Sequence, residues 1–444
     1  MSGRWNLTLP ALLVVGLIGA PLAGCNLLEA ENPNNLIEED LGNPQAATPM
    51  ANGAEATVTR ALNAVMGPFS TATDEVTWVG SRNAWQELDQ GFVDRELNEF
   101  SDAAFPFVGE ARWTVDNYVE RLEAFRADGA SVAVPLARVY LYKAIIYATI
   151  ADMFDNFAFS DRTEPGPAIG EENMVTLYDQ ALDAVNKGLA LNVGGNWDVA
   201  LTAMRASLKY RKALWQKLNP TVNTANPLVG GAELIQDALA AIDLMGLGSD
   251  WRFVLEMDPS LDDLVADNPE VGLAYNINQR NELRIGATYV EPNPVDGGKT
   301  YSAITFTDII DTDTVNPFLE AFLTQFTDDA QYGDVISLSE REMHLIAAEA
   351  ELAAGNVPGF TTHINHIRAM DDLTPYSGQV EPLEMLKHAR QVNLFLQGRR
   401  LADHYRFQEP SPEWVPSSTA MQQPGTFLPI TFIELSANPL LGGG

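Results

Sequence analysis

The chain has 444 residues, 46% of them hydrophobic and 20% charged, which is the composition of a folded globular protein with material for a large core. Its 60 acids outnumber 27 Lys and Arg, for a formal net charge of −33. That balance argues against nucleic acid or other polyanions as ligands, leaves neutral ligands open, and suits solubility in a saline medium. A single cysteine excludes intramolecular disulfides.

Residues 1–24 read as a secretory signal: Arg4 supplies the positive charge, Ala11 to Ile18 the apolar stretch, and small residues lead to Cys25. The apolar stretch is too short and too interrupted by Gly and Pro to span a bilayer. Leu22-Ala23-Gly24-Cys25 resembles the bacterial lipobox. The resemblance implies that Cys25 is lipidated and becomes the N-terminus, so that membrane contact comes through lipid alone. Residues 25–53, rich in Asn, Pro, Glu and Gly, read as a lipidated terminus and tether. A single domain is expected over 54–444.

Helices are expected next. Residues 113–126 and 133–155 fit, and the second is apolar nearly all round, which makes it a central buried helix. Residues 173–190 place Tyr178, Ala181, Leu182, Val185 and Leu189 on one face. Residues 199–218 and 231–245 also read as helical. Residues 246–337 turn rich in Asp, Asn, Gly and Pro, with short β-prone pieces at 287–290 and 303–306, and read as a loop-rich insert. Helices return at 340, where Ser339 and Glu342 form a capping box and Gly355 a stop. Further helices are expected over about 360–370 and 382–405, with Gly398 a weak point. Helix pairs joined by Gly/Asn/Pro turns resemble tetratricopeptide hairpins, so the fold class is mostly α.

The last third carries four ordered motifs. They are Leu345-Ile346 with Ala348-Glu349-Ala350 before Gly355; Ile364-Asn365-His366-Ile367-Arg368; Gln397-Gly398-Arg399-Arg400 with Asp403 and Arg406; and Leu428-Pro429-Ile430 with Glu434 and Asn438-Pro439. Together they resemble the SusD/RagB family. Gln397 stands where that family usually has Glu, and Ala369-Met370 replaces its second Arg. The resemblance implies an outer-membrane, lipid-anchored protein facing the cell exterior. It implies capture of a nutrient, commonly a glycan, and delivery to a SusC-like TonB-dependent transporter that the protein caps as a lid. It implies no enzyme activity and no cofactor.

Candidate ligand contacts follow the Asp74-Glu75 pair, where the family commonly places them. Trp78, Arg82 and Trp85 fall at i, i+4 and i+7, so a helix would bring two indoles and a guanidinium to one face, with Asn83 beside them. Asp74 belongs to the same stretch, and Tyr289 and Tyr301 in the insert complete the set. All five His lie after residue 340; His363 and His366 are a turn apart, and two such ligands do not make a zinc site. Asp311, Asp313 and Asn316 hold calcium-like oxygens without EF-hand spacing. Glu342, Glu349, Arg390, Arg399 and Asp403 are expected to form a structural ion-pair network. Two other readings remain: an exported glycan-active hydrolase, although no nucleophile elbow or metal motif is present, and a helical-repeat scaffold.

Overall fold

A computed structural model describes residues 40–161, 164–257 and 272–442. The signal segment, Cys25 and most of the expected tether lie outside the described residues. Asp40–Gly42 form one short 3-10 turn. The compact body begins at Pro44.

The body is mostly helical. Its first helix, α1 (Ala47–Thr71), starts seven residues before the expected domain edge at 54, and Met50 and Ala51 are already fully buried. The Asn/Pro-rich composition that marks a tether therefore stops short of residue 47. A strand, β1 (Val76–Trp78), and a short helix, α2 (Asn83–Asp89), lead into α3 (Glu99–Ala127), whose start is capped by the Asn98 side chain. Then come α4 (Ala133–Met153), α5 (Thr176–Leu189), α6 (Gly195–Leu218) and α7 (Ala232–Met245). Each of α3 to α7 packs on its successor, and α1 lies against α3 and α4. These antiparallel pairs are the tetratricopeptide-like hairpins expected from the sequence. Among the described residues α4 is the one helix long and apolar enough to cross a membrane, but it is the central core helix. Leu136, Val139, Ile146 and Ile150 on it are fully buried.

The insert holds more regular structure than its composition implies. Strand β2 (Arg252–Leu255) opens it, β3 (Leu283–Ile285) pairs with β1, and β4 (Val290–Pro292) pairs with β5 (Tyr301–Ile304). Helix α8 (Pro317–Asp328) follows, capped by Asn316 with Pro at its first position. Strand β6 (Val335–Ser339) returns to pair antiparallel with β2, so the insert leaves and rejoins the body at one ribbon.

Helix α9 (Glu340–Ala353) packs on both α7 and α10 (Val357–Met370), which restores the stack. The long helix expected over 382–405 is two, α11 (Pro382–Asn393) and α12 (Arg400–Phe407). Gly398 at φ +68° and Leu396 at φ +52° break it. The carboxylate of Glu75 accepts the Leu396 N–H at 2.8 Å, which satisfies a donor that a continuous helix would have used. The chain ends with α13 (Thr419–Gln422) and α14 (Phe432–Ala437).

The expected ion-pair network is present and buried. Glu349, fully buried, accepts from Arg406, from the Tyr210 hydroxyl at 2.7 Å and from the Val229 N–H at 2.8 Å. Asp403 bridges Arg390 and Arg406, each at 2.9 Å. Arg399 meets Asp152 at 3.0 Å and Glu342 at 3.5 Å. These pairs tie α4, α6, α9, α11 and α12 together.

Candidate functional site

The expected shared helical face of Trp78, Arg82 and Trp85 does not form. Trp78 ends β1, and α2 starts only at Asn83. The cause is Glu282, which stands beside β3. Its backbone oxygen accepts the Val79 and Gly80 N–H groups at 3.0 Å, and its carboxylate accepts those of Ser81 at 2.8 Å and Arg82 at 3.0 Å. Four consecutive donors are thus used outside any helix. Gly80 is required for that approach, because a Cβ there would lie 2.6 Å from the Glu282 Cα.

Several of the expected contacts belong to the core. Trp85 is fully buried, its ring stacked on Phe100 with centroids 3.7 Å apart. Tyr289 is fully buried against Phe306 and Phe395. Asp74 is buried beneath Arg400, which grips it through two bonds of 2.7 and 2.8 Å, and His404 stands 3.1 Å away. Burial would raise the Asp74 pKa, but the bonds from Arg400 and His404 outweigh it and hold the carboxyl well below the usual range. The indole and phenol faces that suggested sugar stacking are therefore spent on packing. Trp78 is half-buried, Arg82 reaches Glu99, and Asn83 is exposed. Tyr301 is half-buried on β5 with its hydroxyl 3.1 Å from that of Thr327. Trp85→Ala is accordingly expected to cost about 3 kcal/mol of stability. Trp78→Ala is expected to stay within about 1 kcal/mol of the parent. Thermal melting of both variants checks the pair, and equal melting would reverse this assignment.

The other candidates also resolve into structure. Asp308 and Asp311, on the calcium-like loop, are taken by Arg368 at 2.8 and 3.3 Å, and Asn316 caps α8. His344 and His363 face each other at 3.1 Å between ring nitrogens. Burial, with His363 and His366 adding to it, pushes His344 down to about 3, so the ring is neutral. Among the described residues no three His, Cys, Asp or Glu side chains are placed to hold a metal.

An open cleft of about 800 Å³ lies elsewhere, between the end of α6 with the loop 219–224 and the segment 408–426. The second segment is folded back by three contacts. The Trp414 indole N–H donates to the Ala72 carbonyl at 3.0 Å, and the Val415 and Ala420 N–H groups donate to Gln90 and Gly91 at 3.1 and 3.0 Å. Gly91, at φ +86°, lets Trp414 approach, since a Cβ there would meet the indole at 3.0 Å. Asp155, just past α4, lines the cleft, held by the Phe427 N–H at 3.0 Å and by its own N–H to the Leu428 carbonyl. Burial pushes Asp155 up to about 7; the Phe427 N–H pulls the other way, and the charges of Glu171 and Asp94 add to the rise. Amides (Gln408, Gln423), threonines and the exposed Glu171 complete a mixed lining with no Lys or Arg among the described residues, over the buried rings of Trp414 and Tyr405. Such a surface can hydrogen-bond hydroxyls and cover an apolar ring face. Sequence reading missed it because its walls are Pro-, Thr- and Gln-bearing loops with no motif. The one available sign was an acid two residues past the mostly apolar α4.

No family model matches the chain, and no curated protein matches it significantly. Solved structures do. A SusD superfamily protein from Bacteroides thetaiotaomicron aligns over 90% of this chain and 98% of its own, with a TM-score of 0.61 at 14% identity. One from Bacteroides fragilis aligns over 90% and 99%, with a TM-score of 0.61 at 14% identity. A SusD-like carbohydrate binding protein from Bacteroides vulgatus aligns over 83% and 84%, with a TM-score of 0.53 at 10% identity. Each likeness spans most of both chains, and the chain has the SusD-superfamily fold.

Proposed function

We propose that this protein is a non-catalytic, cell-surface lipoprotein that binds a glycan-type nutrient and passes it to a SusC-like TonB-dependent outer-membrane transporter. The observation that carries the reading is the open cleft: a large concave surface of amides, hydroxyls and apolar side chains on the SusD-superfamily fold. One solved relative of this fold is described as a carbohydrate binding protein, which supports the ligand class. Cys25 supplies the anchor, and the stretch after it the reach from the membrane. Trp78, Arg82, Asn83 and Tyr301 remain proposed contacts on a second face, near the β1–β3 ribbon and the β4–β5 hairpin.

Calorimetry of the full-length protein, purified in detergent, against a panel of oligosaccharides is the test. Saturable binding of at least one glycan, with unchanged product on chromatography, is the expected result. Turnover of a bound glycan would favour the hydrolase reading instead, and no binding across a broad panel would remove the glycan class. Co-purification with a TonB-dependent transporter checks the partner.

A further inference from the structure

The charge on the cleft wall narrows the ligand. Its acids are Asp155 and Glu171, and no lining residue is Lys or Arg. Asp155 is half-buried and forms no ion pair among the described residues; its side chain accepts the neutral Phe427 N–H. Charged groups in reach of it, Glu171 and Asp94, are also acidic, and the remaining titratable rings on the wall are His404 and Tyr405. His404 is already used by Asp74 and the Glu409 carbonyl, and the Tyr405 hydroxyl donates to the Thr426 carbonyl at 2.7 Å. The core carboxylates Asp74, Asp403 and Glu349 each have a guanidinium partner, and Glu75 and Asp89, which have none, do not line the cleft. An acid kept without a cation in a large open cleft is a position for a cation brought by the ligand. Among the described residues no three His, Cys, Asp or Glu side chains are placed to hold a metal, so a metal ion is a poor fit.

We infer that the cleft selects a glycan bearing free amino groups, with a ligand ammonium paired to Asp155 and attracted by Glu171. The inference rests on the glycan reading above and deepens it. An anionic sugar is excluded by the same wall, and a neutral sugar leaves Asp155 without a counter-charge. Burial pushes Asp155 up to about 7, so part of the free protein carries a proton there. Pairing with the ammonium breaks that O–H bond and releases the proton to buffer.

The test compares two tetrasaccharides of one skeleton, β-1,4-linked glucosamine and its N-acetylated form, on the full-length protein. The amine is expected to bind at least about tenfold more tightly, a charge-assisted hydrogen bond in a half-buried site being of that order. Asp155→Asn, whose amide oxygen still accepts the Phe427 N–H, is expected to weaken the amine by about tenfold and leave the N-acetyl form unchanged. Glu171→Gln, on an exposed turn with no core role, is expected to weaken the amine by a smaller factor, and its fold is not at risk. Calorimetry at about pH 5.5, where the glucosamine amines are already ammonium and Asp155 still holds its proton, in two buffers of different ionisation enthalpy, is expected to show net proton release for the amine only. Equal binding of the two sugars, or amine binding insensitive to both substitutions, overturns the inference and leaves the glycan reading standing. Binding of neither overturns the inference, while the broader panel decides the glycan reading on its own.

Discussion

Glu349→Ala is expected to destabilise the protein by about 3–5 kcal/mol, because it leaves buried charges without a partner. Glu349 and Arg406 are both completely enclosed, and Arg390 nearly so. Burial would raise the Glu349 pKa, but Arg406 and Arg390 outweigh it and hold the carboxylate ionised. Taking it away leaves two buried guanidinium groups sharing the single carboxylate of Asp403 and also orphans the Val229 N–H and the Tyr210 hydroxyl. The network is not an argument for high absolute stability, since apolar residues of similar shape can do as well. It is an argument for a steep cost when one member is removed. Urea unfolding followed by circular dichroism measures it, with Glu349→Gln expected to fall between parent and Ala. A midpoint for Glu349→Ala within experimental scatter of the parent would show that the network is dispensable.

The second large effect is a pH dependence centred on Glu75. Burial is the chief cause of its displacement, which the neighbouring Asp74 and Asp403 charges reinforce and the Leu396 N–H partly opposes; the pKa is pushed from 4.5 up to about 8. Arg400, the nearest cation, is spent on Asp74. The folded form therefore holds a proton that the unfolded form gives up above about 4.5. The associated stability is fully present below that pH and is lost as pH rises through about 8. The whole window is on the order of 4–5 kcal/mol. Asp89 and Asp155, both pushed up to about 7 by burial, add in the same direction. His344 runs the other way: held near 3, it takes a proton on unfolding, so stability falls as pH drops from 6.5 toward 3. Between about pH 4.5 and 6.5 the three acids outweigh His344, so urea midpoints are expected to be highest near pH 4.5 and to decline toward 8.5. Glu75→Gln, whose amide oxygen can still accept the Leu396 N–H, is expected to flatten most of the alkaline decline. An unaltered slope in that variant would locate the linkage elsewhere.

The helical architecture was legible in the sequence wherever one periodic face meets one cap. The α5 stripe of Tyr178, Ala181 and Val185 and the Ser339 cap of α9 lie where the pattern puts them, because period and capping are local properties. Helix α8 was missed although Asn316-Pro317 is a start signal, since the composition around it reads as loop. The site was legible only as a region. Spacing of 78, 82 and 85 assumes a helix, and Glu282, some 200 positions away, converts the stretch into a strand and turn. Likewise Trp85 and Tyr289 look like free aromatics in the sequence, and only their neighbours Phe100, Phe306 and Phe395 make them core.

By itself the sequence determined the helical class, the order of the hairpins, the presence of an insert, and the acids and bases that pair in the core. Those follow from residue type and short-range spacing, which a linear chain carries in full. Tertiary structure alone decided which aromatics are buried and that Asp155 lines a cleft, and it fixed the break in the 382–405 helix that Gly398 marks in the sequence. Each of those depends on a partner far along the chain: Glu75 for the break at Leu396, Phe427 for Asp155, Trp414 folded onto Ala72 for the cleft wall. Burial and unpaired charge are properties of such meetings, and no local pattern encodes them.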